Sequence, residues 1–193
     1  SAERLWDIAN TIRIAKMHAP PLYATGADDA HVYNEFQPNH ANPGRAWIMV
    51  RAKRLDAEAL IDAMRRGDFY TSTGVVLRDV AYDANHRTVT VKVQSEPDVH
   101  YTIEFIGTPV GADPTGRPVD NGSVQNAKRP GRTYSPEVGK ILSSTKDITA
   151  TYHLTGKELY VRAVVRSDNP IPNASGGIGQ HQEAWCQPVG WEK

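Results

Sequence analysis

The residues of this sequence best suited to metal chemistry lie together near its start. Asp28, Asp29 and His31 follow a short, mostly apolar run at residues 22–27 (LYATGA). Side chains alternate between two faces in an extended chain, so Asp29 and His31 are predicted to point the same way. A carboxylate and an imidazole that converge in this way suit a divalent metal ion. The simpler interpretation, which spacing alone favours, is that the aspartates cap or turn the chain and His31 is exposed, since Asp-x-His triplets are common.

Two protein ligands do not complete a metal site, because zinc sites use three or four. The polar loop at residues 34–44 contains Glu35 and His40, either of which could join the site, although a loop residue facing water is the simpler interpretation of each. The four histidines further along the chain show no metal-ligand spacing and are interpreted as structural or solvated: His86, His100, His153 and His181.

The elements that must position these side chains begin with a helix. Five apolar residues recur at helical spacing between residues 3 and 17, which predicts a helix with one buried apolar stripe: Leu5, Ile8, Ala9, Ile12 and Ala15. Ser1 is placed to cap this helix, and the prolines at residues 20–21 end it.

An alternating α/β pattern continues from there. Residues 22–27 are predicted to form an apolar strand with the Asp-Asp-Ala-His sequence at its end, and residues 46–51 a second buried strand. Asp56 is the predicted N-cap of a second helix, which ends at Gly67 after two arginines. A lone unit of this kind cannot bury both faces of its strand, so its partners must come from elsewhere.

The pattern changes near residue 74, where alternation with a period of two replaces helical spacing. The chain is therefore predicted to comprise an α/β part at residues 1–73 and an antiparallel, immunoglobulin-like β-sandwich at residues 74–193. The apolar positions of the predicted strands are Val76, Val80 and Tyr82; Val89, Val91 and Val93; Tyr101, Ile103 and Phe105; Ala150, Tyr152 and Leu154; Leu159, Val161, Ala163 and Val165; and Trp185, Gln187, Val189 and Trp191. Two polar stretches, at residues 107–136 and 167–180, are predicted surface loops.

Composition excludes several classes of function. The 193 residues carry 22 basic and 22 acidic side chains, so no net field favours nucleic acid or an anionic membrane. No apolar run approaches the roughly 20 residues that span a bilayer, and the first residues do not have the layout of a signal peptide. The single cysteine, Cys186, excludes an internal disulfide framework and is interpreted as a core residue. It does not indicate the cellular compartment of the protein.

Several segments in order resemble the C-terminal part of the polymerase and histidinol phosphatase (PHP) superfamily of metal-dependent phosphoesterases. They read LYATGADDAH, PGRAWIMV and LIDAMRRGDFYTSTG, followed in the second half by LYVRA and AWCQPV. The resemblance implies the last units of a distorted TIM-like barrel followed by the sandwich extension of some bacterial members. It also implies that Asp29 and His31 are the last two ligands of a cluster of Zn, Mn or Fe ions, with Asp28 in support. The substrate of the whole protein would be a phosphoester.

The sequence departs from the family in one respect, since it contains no H-x-H pair and no counterpart of the family's middle ligands. These are expected upstream of Ser1, in a missing N-terminal half of the barrel. The chain alone is then expected to bind metal weakly and to hydrolyse nothing, and its exposed apolar surface to favour self-association. The alternative is a non-catalytic sandwich that binds a ligand or braces a larger exported protein.

Overall fold

The computed structural model describes residues 1–37, 40–119, 131–172 and 180–192, which form mostly β-sheet with two helices. The helices are α1 (Ala2–Met17) and α2 (Ala57–Arg65). The strands are β1 (Trp47–Val50), β2 (Phe69–Ser72), β3 (Leu77–Asp83), β4 (Thr88–Val93), β5 (Tyr101–Pro109), β6 (Arg117–Pro118), β7 (Arg132–Thr133), β8 (Lys140–Thr145), β9 (Thr149–His153), β10 (Glu158–Pro170) and β11 (His181–Cys186).

The strands form a sandwich of two unequal antiparallel sheets. The larger sheet has six strands in the order β1-β2-β11-β10-β5-β8, and the smaller has three in the order β3-β4-β9. Alternate residues of the paired strands face each other between the sheets and form the apolar core, which includes Val91, Ile103, Phe105, Val161 and Val165. The mostly β architecture is thus the sandwich expected from the period-two pattern, while strands β6 and β7 form a separate two-stranded sheet within the predicted first loop.

The larger sheet draws strands from both sides of residue 73. Strands β1 and β2 precede that residue, yet β2 pairs antiparallel with β11, with Thr71 opposite Trp185. The division into domains 1–73 and 74–193 stays a prediction, but this sheet crosses it. The described part of the chain contains no helix long and apolar enough to cross a membrane.

Residues 22–27 were predicted to form a strand, and this prediction is wrong, because the structure has no strand there. Side-chain amides take the place of strand neighbours. Asn10 accepts a hydrogen bond from the Leu22 backbone N–H at 2.7 Å and donates to the Leu22 carbonyl at 3.2 Å. Gln187 binds Ala24 in the same two-sided way, at 2.9 Å for each bond. The TIM-like barrel units predicted from this segment are therefore not confirmed.

Helix α1 has the predicted bounds and the predicted Ser1 cap, but the opposite orientation to the one its apolar stripe indicates. The residues that it buries are polar: Asp7, Asn10 and Thr11. Leu5, at the start of the predicted stripe, is 68% exposed. The reason lies on the sheet, whose outer face offers α1 charged and hydroxyl groups rather than an apolar surface.

An ion pair attaches α1 to strand β10. The Arg162 guanidinium donates to both Asp7 oxygens, from Nε at 2.8 Å and from Nη2 at 2.7 Å, and both side chains are almost completely buried. Burial lowers the pKa of Arg162, but its bonds to Asp7 outweigh burial and the net shift is upward. Tyr160 donates to Asp7 Oδ1 at 2.8 Å, and burial, with the Asp7 charge, raises the pKa of this phenol. The carboxylate therefore has three donors on one strand.

We predict that Asp7→Ala lowers the free energy of unfolding by about 3–5 kcal/mol, because the buried Arg162 guanidinium loses both hydrogen bonds to Asp7 and keeps only the longer contact from Nη2 to Glu3 at 3.3 Å. The matched control is Asp62→Ala, which removes an exposed carboxylate 3.6 Å from Arg65 and is expected to cost about 0.5 kcal/mol or less. Urea unfolding measures both. The double variant Asp7→Ala/Arg162→Met should recover much of the loss, since no unpaired charge remains. A loss in Asp7→Ala no larger than the control's would contradict the role given to this pair.

Candidate functional site

Asp29 and His31 lie side by side on the loop that follows residues 22–27. The distance from His31 Nε2 to Asp29 Oδ1 is 3.5 Å, and the two side chains are 72% and 89% exposed. Strand alternation does not bring them together, because this stretch forms no strand and Asp29 has a left-handed backbone with φ of 52°. Aspartate is among the residues that tolerate this conformation best. The predicted juxtaposition exists, but a turn produces it.

Asp28 holds the base of this turn. Its carboxylate accepts hydrogen bonds from three consecutive backbone N–H groups, those of Gly44, Arg45 and Ala46, at 2.9, 2.6 and 2.7 Å. The Arg45 guanidinium also donates to the Asp28 carbonyl at 2.5 Å. Desolvation raises the pKa of Asp28, but these backbone bonds and the Arg45 charge outweigh it, so the net shift is downward. With its oxygens used in this way, Asp28 closes the turn, whereas the carboxylate of Asp29 stays exposed.

Asn42 organises the other side of the loop. It is completely buried, and its side-chain amide donates to the carbonyls of Val32 and Glu35, each at 2.8 Å. The backbone N–H of His31 donates to the Ala41 carbonyl at 2.7 Å. The imidazole of His31 is therefore exposed on a backbone that is hydrogen-bonded to the far end of the loop.

Neither additional candidate ligand joins the pair. The Glu35 carboxylate accepts a hydrogen bond from Gln37 at 2.6 Å, and His40 Nδ1 lies 3.4 Å from the Glu35 carbonyl oxygen. Within residues 1–37, 40–119, 131–172 and 180–192, no three His, Cys, Asp or Glu side chains are grouped as a metal site requires. Chemically, the loop presents one oxygen and one nitrogen ligand, half of what a tightly held zinc ion needs.

Two of the remaining histidines make side-chain contacts in the structure, and both agree with the interpretation of these histidines as structural or solvated. His86 pairs with Asp83 at 2.6 Å and His100 with Asp168 at 2.7 Å, and both imidazoles are exposed on the sandwich. Neither pair belongs to a group of three or more potential metal ligands in the part of the chain that the structure describes. They resemble the Asp29–His31 pair in composition, which makes them useful controls for it.

Sequence reasoning did not identify two residues on which the loop depends, Asn42 and Arg45. An asparagine between alanine and proline in a polar loop gives no periodic signal, and its burial arises only when the loop closes around it. The arginine's signal was its place directly after a Pro-Gly turn, where its backbone N–H can donate to a carboxylate.

No known protein family, no curated protein and no solved structure matches this chain.

We predict that Asp28→Ala speeds amide hydrogen exchange at Gly44 and Ala46 by at least tenfold, because it removes the acceptor of both N–H groups. Asp29→Ala is the matched control and should leave these amides unchanged, since no hydrogen bond to the Asp29 carboxylate anchors the loop. The pKa of Asp28 is lowered in the folded protein. The stabilisation that the Asp28 carboxylate gives the loop is therefore complete above the ordinary pKa of 3.8, and it is lost as the pH falls through the lowered pKa. Equal exchange in the two variants would contradict the anchoring role.

Proposed function

We propose that this chain is the C-terminal portion of a metal-dependent phosphoesterase of the PHP type, in which Asp29 and His31 are the last two metal ligands. The observation that carries the proposal is the Asp29–His31 pair itself, at 3.5 Å on an anchored and exposed loop. An acid–imidazole pair that faces solvent needs no such anchoring for folding alone. The anchoring is what a ligand pair requires in order to hold its geometry when the ion arrives.

Each residue of the loop then has a defined role. Asp29 contributes charge and a hard oxygen ligand, and His31 contributes a nitrogen that binds only when the ring is neutral. Asp28 keeps the turn closed while Asp29 faces outward. A bound divalent cluster would supply an activated water and neutralise phosphoester oxygens. Since this chain offers half of one coordination shell, the other ligands belong to polypeptide outside it, and the isolated chain is inactive.

The distribution of apolar surface supports a missing partner. Among the described residues, eight of the thirteen large exposed apolar side chains lie in the first 73 residues, less than half of the chain: Leu5, Met17, Leu22, Tyr33, Phe36, Met49, Leu55 and Ile61. Helix α1 shows the clearest case, because it buries polar residues and leaves Leu5 outside. A helix whose apolar side faces solvent in one portion of a protein is suited to pack against another portion.

Within such a protein the sandwich has a bracing role. Thr71 of β2 donates to the Ala24 carbonyl at 3.0 Å, and Gln187 holds both backbone groups of the same residue. The segment that leads into Asp28 is thus fixed by one side chain of the larger sheet and one that directly follows its strand β11. This observation favours bracing over a separate binding role for the sandwich as a whole, which is the alternative raised by the sequence.

A metal titration of the 193-residue chain tests the half-site. We expect Mn²⁺ to broaden the NMR signals of Asp29 and His31 first, with a dissociation constant weaker than about 100 μM, because two ligands hold the ion. His31→Ala should abolish this local broadening. His86→Ala, which removes a comparably exposed imidazole from another Asp–His pair, should not. Equal effects of the two substitutions would show that any exposed pair behaves in this way and would refute the half-site.

Hydrolysis of bis(p-nitrophenyl) phosphate tests the catalytic part of the proposal. We expect no turnover by the isolated chain with Zn²⁺, Mn²⁺ or Fe²⁺. In the longer natural polypeptide we expect turnover that falls at least 100-fold in Asp29→Ala and little in Asp83→Ala. Turnover by the isolated chain that Asp29→Ala abolishes would show that the site is complete here, and an inactive longer polypeptide that binds no metal would favour the non-catalytic alternative.

A further inference from the structure

The unequal width of the two sheets leaves an open cleft in the sandwich. The Tyr70 hydroxyl accepts a hydrogen bond from the Leu77 N–H at 2.9 Å, which places the edge of the smaller sheet, β3, over β2. Strand β1 continues the larger sheet by one strand beyond β2. The result is a cleft of about 500 Å³, within the range of small-molecule sites.

Two large side chains face this cleft from opposite sheets. Met49 pairs with Tyr70 and Tyr82 pairs with Val89, and both partners belong to the core, so Met49 and Tyr82 also point inward. Despite that orientation they are 40% and 39% exposed. A thioether and a phenol ring that point inward but stay uncovered form two walls suited to an aromatic ring, which both bind favourably.

Three arginines line the cleft. The charged residues that line the cleft are three arginines and one aspartate: Arg51, Arg66, Arg78 and Asp68. Arg51 is paired with Asp79 at 2.8 Å and Arg66 with Asp68 at 2.9 Å. Arg78 forms no ion pair with any carboxylate of the described residues, so the opening carries one uncompensated positive charge.

A β-bulge places Arg78 at this opening. The pairing of β3 with β4 shifts between Leu77, opposite Val93, and Asp79, opposite Lys92, so that Arg78 is the extra residue. A bulge changes the direction of a side chain and interrupts strand pairing. Here it lets Leu77 and Tyr82 both face inward while it directs an exposed guanidinium to the cleft.

We propose that this cleft binds a small organic anion with an aromatic body, the ring between Met49 and Tyr82 and the anionic group on Arg78. Arginine suits both parts of such a ligand, since its planar guanidinium stacks on rings and forms paired hydrogen bonds to carboxylate or phosphate. The cleft lies at the C-terminal end of β1, whereas the Asp28 anchor holds its N-terminal flank. The two sites share no residue, so this inference is independent of the phosphoesterase proposal.

Titration with 2-naphthoate, 2-naphthyl phosphate and neutral 2-naphthol tests the site, with backbone amide NMR to locate binding and calorimetry to measure affinity. We expect both anions to shift the amides of Met49, Arg78 and Tyr82 and to bind at least fivefold more tightly than 2-naphthol. The ratio of the two anion affinities identifies whether carboxylate or phosphate is preferred. Shifts that map outside the cleft, or equal affinity for 2-naphthol, would overturn the proposal.

Variants separate the charge from the ring contacts. We expect Arg78→Ala to weaken anion binding about fivefold and Arg78→Lys to fall between, because lysine keeps the charge and loses the planar fork. Tyr82→Ala should weaken all three probes. Arg117→Ala, an exposed arginine on β6, is the matched control and should change nothing. Unchanged urea midpoints for Arg78→Ala and Arg117→Ala would show that both are folded, and unchanged anion affinity in folded Arg78→Ala would refute the site.

Discussion

The buried pair of Arg162 and Asp7 is the constraint on which the N-terminal half depends. It fixes α1 on the outer face of the larger sheet, and Asn10 of the same helix then holds Leu22. Gln187, directly after β11, holds Ala24, two residues further along. Because each step uses a directional hydrogen bond, the position of the following Asp-Asp-Ala-His turn is set relative to β10 rather than left to a loop.

A buried ion pair is a weak source of net stability, because the cost of removing two charges from water offsets much of their attraction. Its effect here is on specificity. An apolar helix face could slide over a sheet, whereas the Arg162 guanidinium donates to both Asp7 oxygens in one register only. The backbone at Gly139 closes over the same carboxylate with a left-handed φ of 61°, where a Cβ would collide with Asp7. The pocket around Asp7 is therefore shaped around the charge, and Leu5 on the other side of α1 stays exposed.

The sequence pattern predicted those elements whose burial follows their own periodicity. The strands around Val91, Ile103 and Val161 were predicted from alternation, and α2 was predicted from its Asp56 cap. Strand β8 was not, because its KILSST sequence has no alternation and both Ile141 and Leu142 are partly exposed. The face of α1 was mispredicted because periodicity records where apolar residues lie but not what the opposing surface offers. The partner that decides the matter, Arg162, is 155 residues from Asp7.

Strand β1 connects the turn at Asp28 with the cleft between the two sheets. Its N-terminal flank, Ala46, donates to the Asp28 carboxylate, and its inner residue Met49 faces the cleft. The faces of a strand alternate, so a slip of one residue against β2 would turn Met49 outward and bring Ile48 into the cleft. The same slip would move the Ala46 N–H by about 3.4 Å, out of hydrogen-bond reach of Asp28. The register that pairs Met49 with Tyr70 therefore sets the shape of the cleft and the closure of the Asp-Asp-Ala-His turn together.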